Sequence, residues 1–194
     1  MHLSLLFSLS LSLSPSLEHL FCHGHCLILG HCEIDVSVLV DRSRTIDSIG
    51  ETGANSNWLA VESTLSQIHL LVHQNAPMGT ASRMALRVFN SERVTTLMSL
   101  TDSLGYTAGQ RKINIELLKT PFSASSENRR ILQAVREAVN ELERNVRDVG
   151  AGLKASQCII LFTDALQFNN AQRTLEILKA QMDKKVYVLA IGKF

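Results

Sequence analysis

The stretch Val36-Ser37-Val38-Leu39-Val40-Asp41-Arg42-Ser43-Arg44-Thr45 constrains this chain more than any other. It is rich in β-branched residues, apolar at nearly every position, and then abruptly polar. That pattern predicts a strand over 34–40 that is buried on both faces, so helices must cover both sides of its sheet. The polar loop then falls at the carboxyl edge of a parallel sheet, where open α/β folds place their ligands. Asp41, Ser43 and Thr45 alternate along the loop and offer only hard oxygen donors. Such donors suit Mg²⁺, Mn²⁺ or Ca²⁺ better than zinc.

The elements that follow agree with an α/β class. A helix capped by Asn55, Ser56 or Asn57 carries Trp58, Val61, Leu65, Ile68 and Val72 on one stripe. Strands are predicted over 84–89 and 94–100. Only Asn90-Ser91-Glu92-Arg93 separates them, too little for a parallel crossover, so they form an antiparallel hairpin. Residues 101–109 read as loop and 113–118 as a short helix. A long helix over 127–146 buries Ile131, Val135, Ala138, Val139, Leu142 and Val146. Its other face, with Arg136, Glu137, Glu141, Glu143, Arg144 and Arg147, reads as solvated, with Glu143 and Arg147 as an i,i+4 pair.

Gly150 and Gly152 break that helix, and a buried strand over 158–162 ends in Thr163-Asp164. Cys158 at its start reads as a small core residue. A helix over 170–182 is expected to bury Leu175, Leu178 and Met182, and the last strand covers 186–191. The order β-α-β-β-α-β-α-β predicts a mostly parallel sheet with one antiparallel edge strand.

Length and charge narrow the function. A chain of 194 residues with 45% hydrophobic content suits one globular domain, here 33–194. A net charge of +1 and an aromatic content of 5% argue against nucleic acid as partner. Residues 1–20 are a leucine/serine run too short to span a bilayer, read as a signal peptide or low-complexity leader, which points to secretion. Nothing else reads as a transmembrane segment. Residues 21–32 form a linker in which Cys22, Cys26 and Cys32 alternate with His23, His25 and His31, in no zinc-finger spacing.

The strands ending at Asp41 and Asp164 finish at the same edge, and the Ser125-Ser126 loop opens a helix there. Asp41, Ser43, Thr45, Ser126 and Asp164 can therefore converge. Two facing carboxylates repel unless a cation or an arginine sits between them.

With these residues the chain resembles the von Willebrand factor type A (vWA) domain, the Rossmann-like fold of integrin inserted domains and matrilins. The family motif Asp-x-Ser-x-Ser stands here as Asp41-Arg42-Ser43-Arg44-Thr45. Its glycine-rich loop ending in threonine is matched by Pro121-Phe122-Ser123-Ala124-Ser125-Ser126, and its Thr-Asp-Gly by Thr163-Asp164-Ala165. The resemblance implies a metal-ion-dependent adhesion site (MIDAS). Ser43, Thr45 and Ser126 would coordinate through hydroxyls, and Asp41 and Asp164 directly or through water. A partner's Glu or Asp would fill the ion's open position, with Arg42 and Arg44 on the rim. It also implies that the last strand and closing helix of the family are missing here, and that Cys32 lacks a partner.

Glycine is lost at Ser123, Ala124, Ser125 and Ala165, where the loops of the family would call for φ > 0 or close backbone approach. A metal-free interaction domain, with Arg42 or Arg44 paired to Asp41 or Asp164, is therefore the alternative. A metal-assisted hydrolase is a third reading. Against it, no glycine-rich phosphate loop or lysine follows the first strand, and His69 and His73 belong to a helix.

Overall fold

A computed structural model describes residues 33–42, 57–74, 82–101, 106–119, 130–150, 152–163, 171–184 and 186–191. Strand β1 (Ile34–Asp41) is the centre of a five-stranded sheet. On one side lie β2 (Arg83–Phe89) and then β3 (Val94–Met98); on the other lie β6 (Ser156–Phe162) and then β7 (Tyr187–Ile191). Every pairing within this sheet is parallel except β2 with β3, so the expected hairpin and its antiparallel strand are present. A two-stranded hairpin, β4 (Asp148–Gly150) with β5 (Leu153–Lys154), stands apart from the sheet. Gly152 makes its turn at φ +74°, a left-handed conformation that favours glycine.

Helices cover both faces, as a strand buried on both sides requires. On one, α1 (Asn57–Gln74) sends Leu65, Ile68 and Val72 against Val36, Val38 and Val40, with Ile113 of α2 (Tyr106–Lys119) beside them. Of the apolar stripe read from the sequence, Leu65, Ile68 and Val72 are buried and Val61 packs partly buried against them, while the side chain of Trp58 lies outside the described residues. On the other face, α3 (Ile131–Arg144) packs Ile131, Ala134, Val135, Ala138 and Leu142 on Leu39, Ala85, Ile159 and Leu161. Leu178 of α4 (Ala171–Asp183) joins them.

Several expectations are corrected. Within 101–109, residues 106–109 are helical: α2 begins at Tyr106 and runs through Gly109. A Cβ at Gly109 would come within 2.4 Å of His69 Nε2, so glycine at this helical position permits α1 and α2 to close on each other. Helix α3 starts at Ile131, after Arg130 in the N-cap position, and ends at Arg144, leaving Val146 45% exposed beyond it. The inner face of α4 is Thr174, Leu178 and Gln181, while Leu175 and Met182 are exposed. An α-helix turns 100° per residue, and this helix buries its polar positions one step around from the apolar ones.

The largest correction concerns charge. The even positions of β1 (Ile34, Val36, Val38, Val40) are apolar and face α1, but the odd ones read Asp35, Ser37, Leu39 and Asp41, and all are buried. Asp35 is fully buried and accepts bonds from Arg83 Nε at 2.9 Å, Arg83 Nη2 at 2.7 Å and Arg147 Nη2 at 2.9 Å. The bond to Asp35 is the main reason the Arg83 guanidinium holds its proton even above the ordinary arginine range. Arg147 also pairs with Glu33 at 2.9 Å, and Arg83 Nη2 donates to the Asn145 carbonyl that ends α3. Farther along β2, Arg87 pairs with Glu141 at 2.7 Å, and Glu141 Oε1 accepts the Leu100 amide.

Glu141 and Arg147 thus face the sheet rather than solvent. The expected Glu143–Arg147 pair does not form: Arg147 lies past the helix end, and Glu143 takes Lys184 at 2.7 Å instead. Cys158 is fully buried, and desolvation pushes its thiol up to about 12, in keeping with a core role.

The α1–α2 seam carries a pH dependence. His69 is 1% exposed, its Nδ1 lies 3.2 Å from Gln110 Oε1, and its ring meets His73 edge to face at 4.6 Å between centroids. Burial lowers the pKa of both imidazoles below the usual 6.5. The unfolded chain therefore takes up these protons first as pH falls. The stability from this pair is fully present above about pH 6.5 and is lost as pH drops through the folded-state values. Urea midpoints measured between pH 7.5 and 5 should fall toward acid, and His69→Gln should flatten that dependence.

Candidate functional site

At the carboxyl edge, β2, β1 and β6 end side by side, with Asp41 opposite Phe89 and Val40 opposite Phe162. Asp41 is the last residue of β1 and Thr163 the first after β6, and both side chains are buried, at 0% and 1% exposure. Thr163 Oγ1 donates to Asp41 Oδ2 at 2.7 Å. This bond joins residues 122 apart in sequence, and the parallel register of β1 with β6 brings them together.

The backbone on the other flank is pinned as well. Arg42 N–H donates to the Phe89 carbonyl at 2.8 Å, and Asn90 closes the β2–β3 turn. Asn90 is 1% exposed, and its Oδ1 accepts the amides of Glu92 at 2.8 Å and Arg93 at 2.9 Å. Its carbonyl accepts Arg130 N–H at 3.0 Å, so the start of α3 is tethered to the same edge. The sequence places Asn90 in the hairpin connection without a further role; its signal is an asparagine directly after an apolar strand and before a turn. Thr163 was read as part of a motif but given no role.

Of the residues expected to hold a cation, Asp41 is at this edge. Ser43, Thr45, Ser126 and Asp164 lie outside the described residues, as does Arg44 on the expected rim. Arg42 is 3% exposed. Among the described residues no group of three or more His, Cys, Asp or Glu side chains is placed to hold a metal ion. The described donors, a buried carboxylate and a hydroxyl bonded to it, are hard oxygens of the kind that fit a divalent cation.

The chain matches no family model and no curated protein at a significant level. Solved structures do match. Proximal thread matrix protein 1 from the mussel byssus, described with a zinc-occupied MIDAS motif, superposes with a TM-score of 0.61 at 17% identity. The match covers 84% of this chain and 38% of that one, so this chain spans well under half of the matrix protein. The SpRpn10 VWA domain matches with a TM-score of 0.60 at 14% identity, over 84% of this chain and 77% of that one. This chain has the von Willebrand factor type A fold. The N-terminal domain of TFIIH p34 matches with a TM-score of 0.58 at 8% identity, over 82% of this chain and 80% of that one.

At these identities the likeness concerns the vWA fold, and the chemistry of the edge must be argued from this chain's own residues. Among the described residues no helix is long and apolar enough to cross a membrane.

Proposed function

We propose that this chain is an extracellular protein-interaction module whose carboxyl edge holds a divalent cation, Mg²⁺ or alternatively Mn²⁺ or Ca²⁺. Asp41, Ser43, Thr45, Ser126 and Asp164 hold the ion, the hydroxyls directly and the carboxylates directly or through water. Arg44 belongs to the rim that meets the partner, a cell-surface or matrix protein; Arg42, which is buried, takes no part in that contact. When bound, the ion supplies an open coordination position for an acidic side chain of that partner. The module binds and does not turn over substrate.

One observation carries this reading: the Thr163–Asp41 hydrogen bond, which links the first and third motif elements at the edge where ligands sit in such sheets. A buried carboxylate is costly unless it is hydrogen-bonded and its charge is neutralised; Thr163 supplies the hydrogen bond, and a hard cation at this edge would supply the opposite charge. The zinc-occupied MIDAS of the byssal matrix protein supports a divalent ion, and that protein's place in a matrix, together with the leucine/serine leader, supports secretion.

A metal-free interaction domain of the same fold is the second reading. Arg42 favours it, since its buried guanidinium follows Asp41 directly and is itself a cation. Calorimetric titration with Mn²⁺ and Mg²⁺ separates the two. The native chain is expected to bind one ion saturably, with Asp41→Ala abolishing it. Equal weak binding by both chains, with partner capture unaffected by EDTA, would establish the metal-free reading.

A further inference from the structure

We infer that Thr163 is a positioning residue, setting the orientation in which Asp41 presents its carboxylate to the cation. The inference rests on the metal reading above and adds to it a residue that supplies no ligand of its own in that reading.

The geometry is built rather than incidental. Both side chains are buried, and the bond crosses from β6 to β1 at 2.7 Å. A hydroxyl has a single proton. With that proton committed to Asp41 Oδ2, the Thr163 oxygen turns only lone pairs toward anything else, and this suits a cation or its water shell rather than an anion. Threonine is also stiff at χ1, so the donor stays in place and opposes rotation of the carboxylate. On the other flank, the Arg42 amide bond to Phe89 fixes the backbone immediately after Asp41. The carboxylate is therefore held from the end of β6, and the backbone that carries it from β2, before any ion arrives. Partners of this kind orient metal ligands and tune their basicity, and losing one weakens ion binding by about tenfold to a hundredfold.

Valine matches threonine in shape and lacks the hydroxyl; serine keeps the hydroxyl and lacks the methyl. Mn²⁺ affinity of the full chain, measured by calorimetry for the native protein, Thr163→Val and Thr163→Ser, is paired with thermal melts in EDTA. Thr163→Val is expected to bind Mn²⁺ about tenfold to a hundredfold more weakly, and Thr163→Ser to recover most of the affinity. Thr163→Cys, with a weak donor of similar size, should weaken binding in the same direction and serves if the valine variant does not fold.

A purely structural role would lower the melting temperature in EDTA and leave the ion affinity of the folded protein unchanged. That result overturns the inference, as does equal weakening by valine and serine. If the native chain binds no Mn²⁺, the metal reading itself fails and this inference falls with it; native binding with unaltered Thr163→Val affinity overturns the inference alone.

Discussion

Asp35→Ala is expected to destabilise the fold by about 3–5 kcal/mol, the cost of breaking a buried ion pair by removing one partner. Asp35 has no solvent exposure and accepts three guanidinium bonds, so its loss leaves Arg83 with only the Asn145 carbonyl and Arg147 with only Glu33. Their side chains are 19% and 25% exposed, so water recovers part of the loss, and the lower end of the range is the better expectation. The damage also spreads. Arg83 holds the carbonyl that ends α3, and the Arg147 carbonyl accepts the Ala155 amide, so the helix end and the β4–β5 hairpin both loosen. Urea denaturation at pH 7 gives the value directly. A double replacement, Asp35→Leu with Arg83→Met, should restore much of it, because apolar groups of similar volume leave fewer unpaired charges. A loss under 1 kcal/mol for Asp35→Ala would mean that the cluster contributes little.

Gly109→Val should cost about 2–3 kcal/mol through overpacking. Ordinarily, replacing a helical glycine improves helix propensity by a few tenths of a kcal/mol to about 1 kcal/mol. Here the added Cβ would meet the buried His69 ring at 2.4 Å on Nε2 and 2.8 Å on Cε1. The imidazole has nowhere to retreat, since it is 1% exposed and lies close to Gln110 and His73. Steric cost therefore exceeds the propensity gain, and the sign of the change reverses from that of an exposed helix. A calorimetric melt of Gly109→Val, alone and combined with His69→Ala, is the check. The double variant should be more stable than the sum of the single losses, because removing the ring makes room for the new side chain.

Much of the architecture was legible because periodicity alone carries it. The strand at 34–40, the stripe Leu65, Ile68 and Val72, and the short 90–93 connection each leave one physical solution. The failures share a cause. In α4, Leu175 and Met182 looked like core by residue type, yet the helix turns Thr174 and Gln181 inward beside Leu178. Residue type gives hydrophobicity; only packing gives helix rotation. Glu141 and Arg147 looked solvated because charges usually are, but Arg87, Asp35 and Glu33 wait for them across the sheet. Gly109 looked like a loop residue because glycine is costly in a helix; what outweighs that cost is a histidine 40 residues earlier.

What the sequence by itself determined is the alternation of buried strands and amphipathic helices, the antiparallel hairpin, and an aspartate at the end of the central strand. These follow from local period and connection length, which short stretches of chain encode. What only the tertiary structure decided is the pairing: Asp35 with Arg83 and Arg147, Arg87 with Glu141, and Thr163 with Asp41. Each bond joins residues far apart in the chain. Its existence depends on sheet order and register, which no local window contains, and on the buried surroundings that make an unpaired charge too costly to keep.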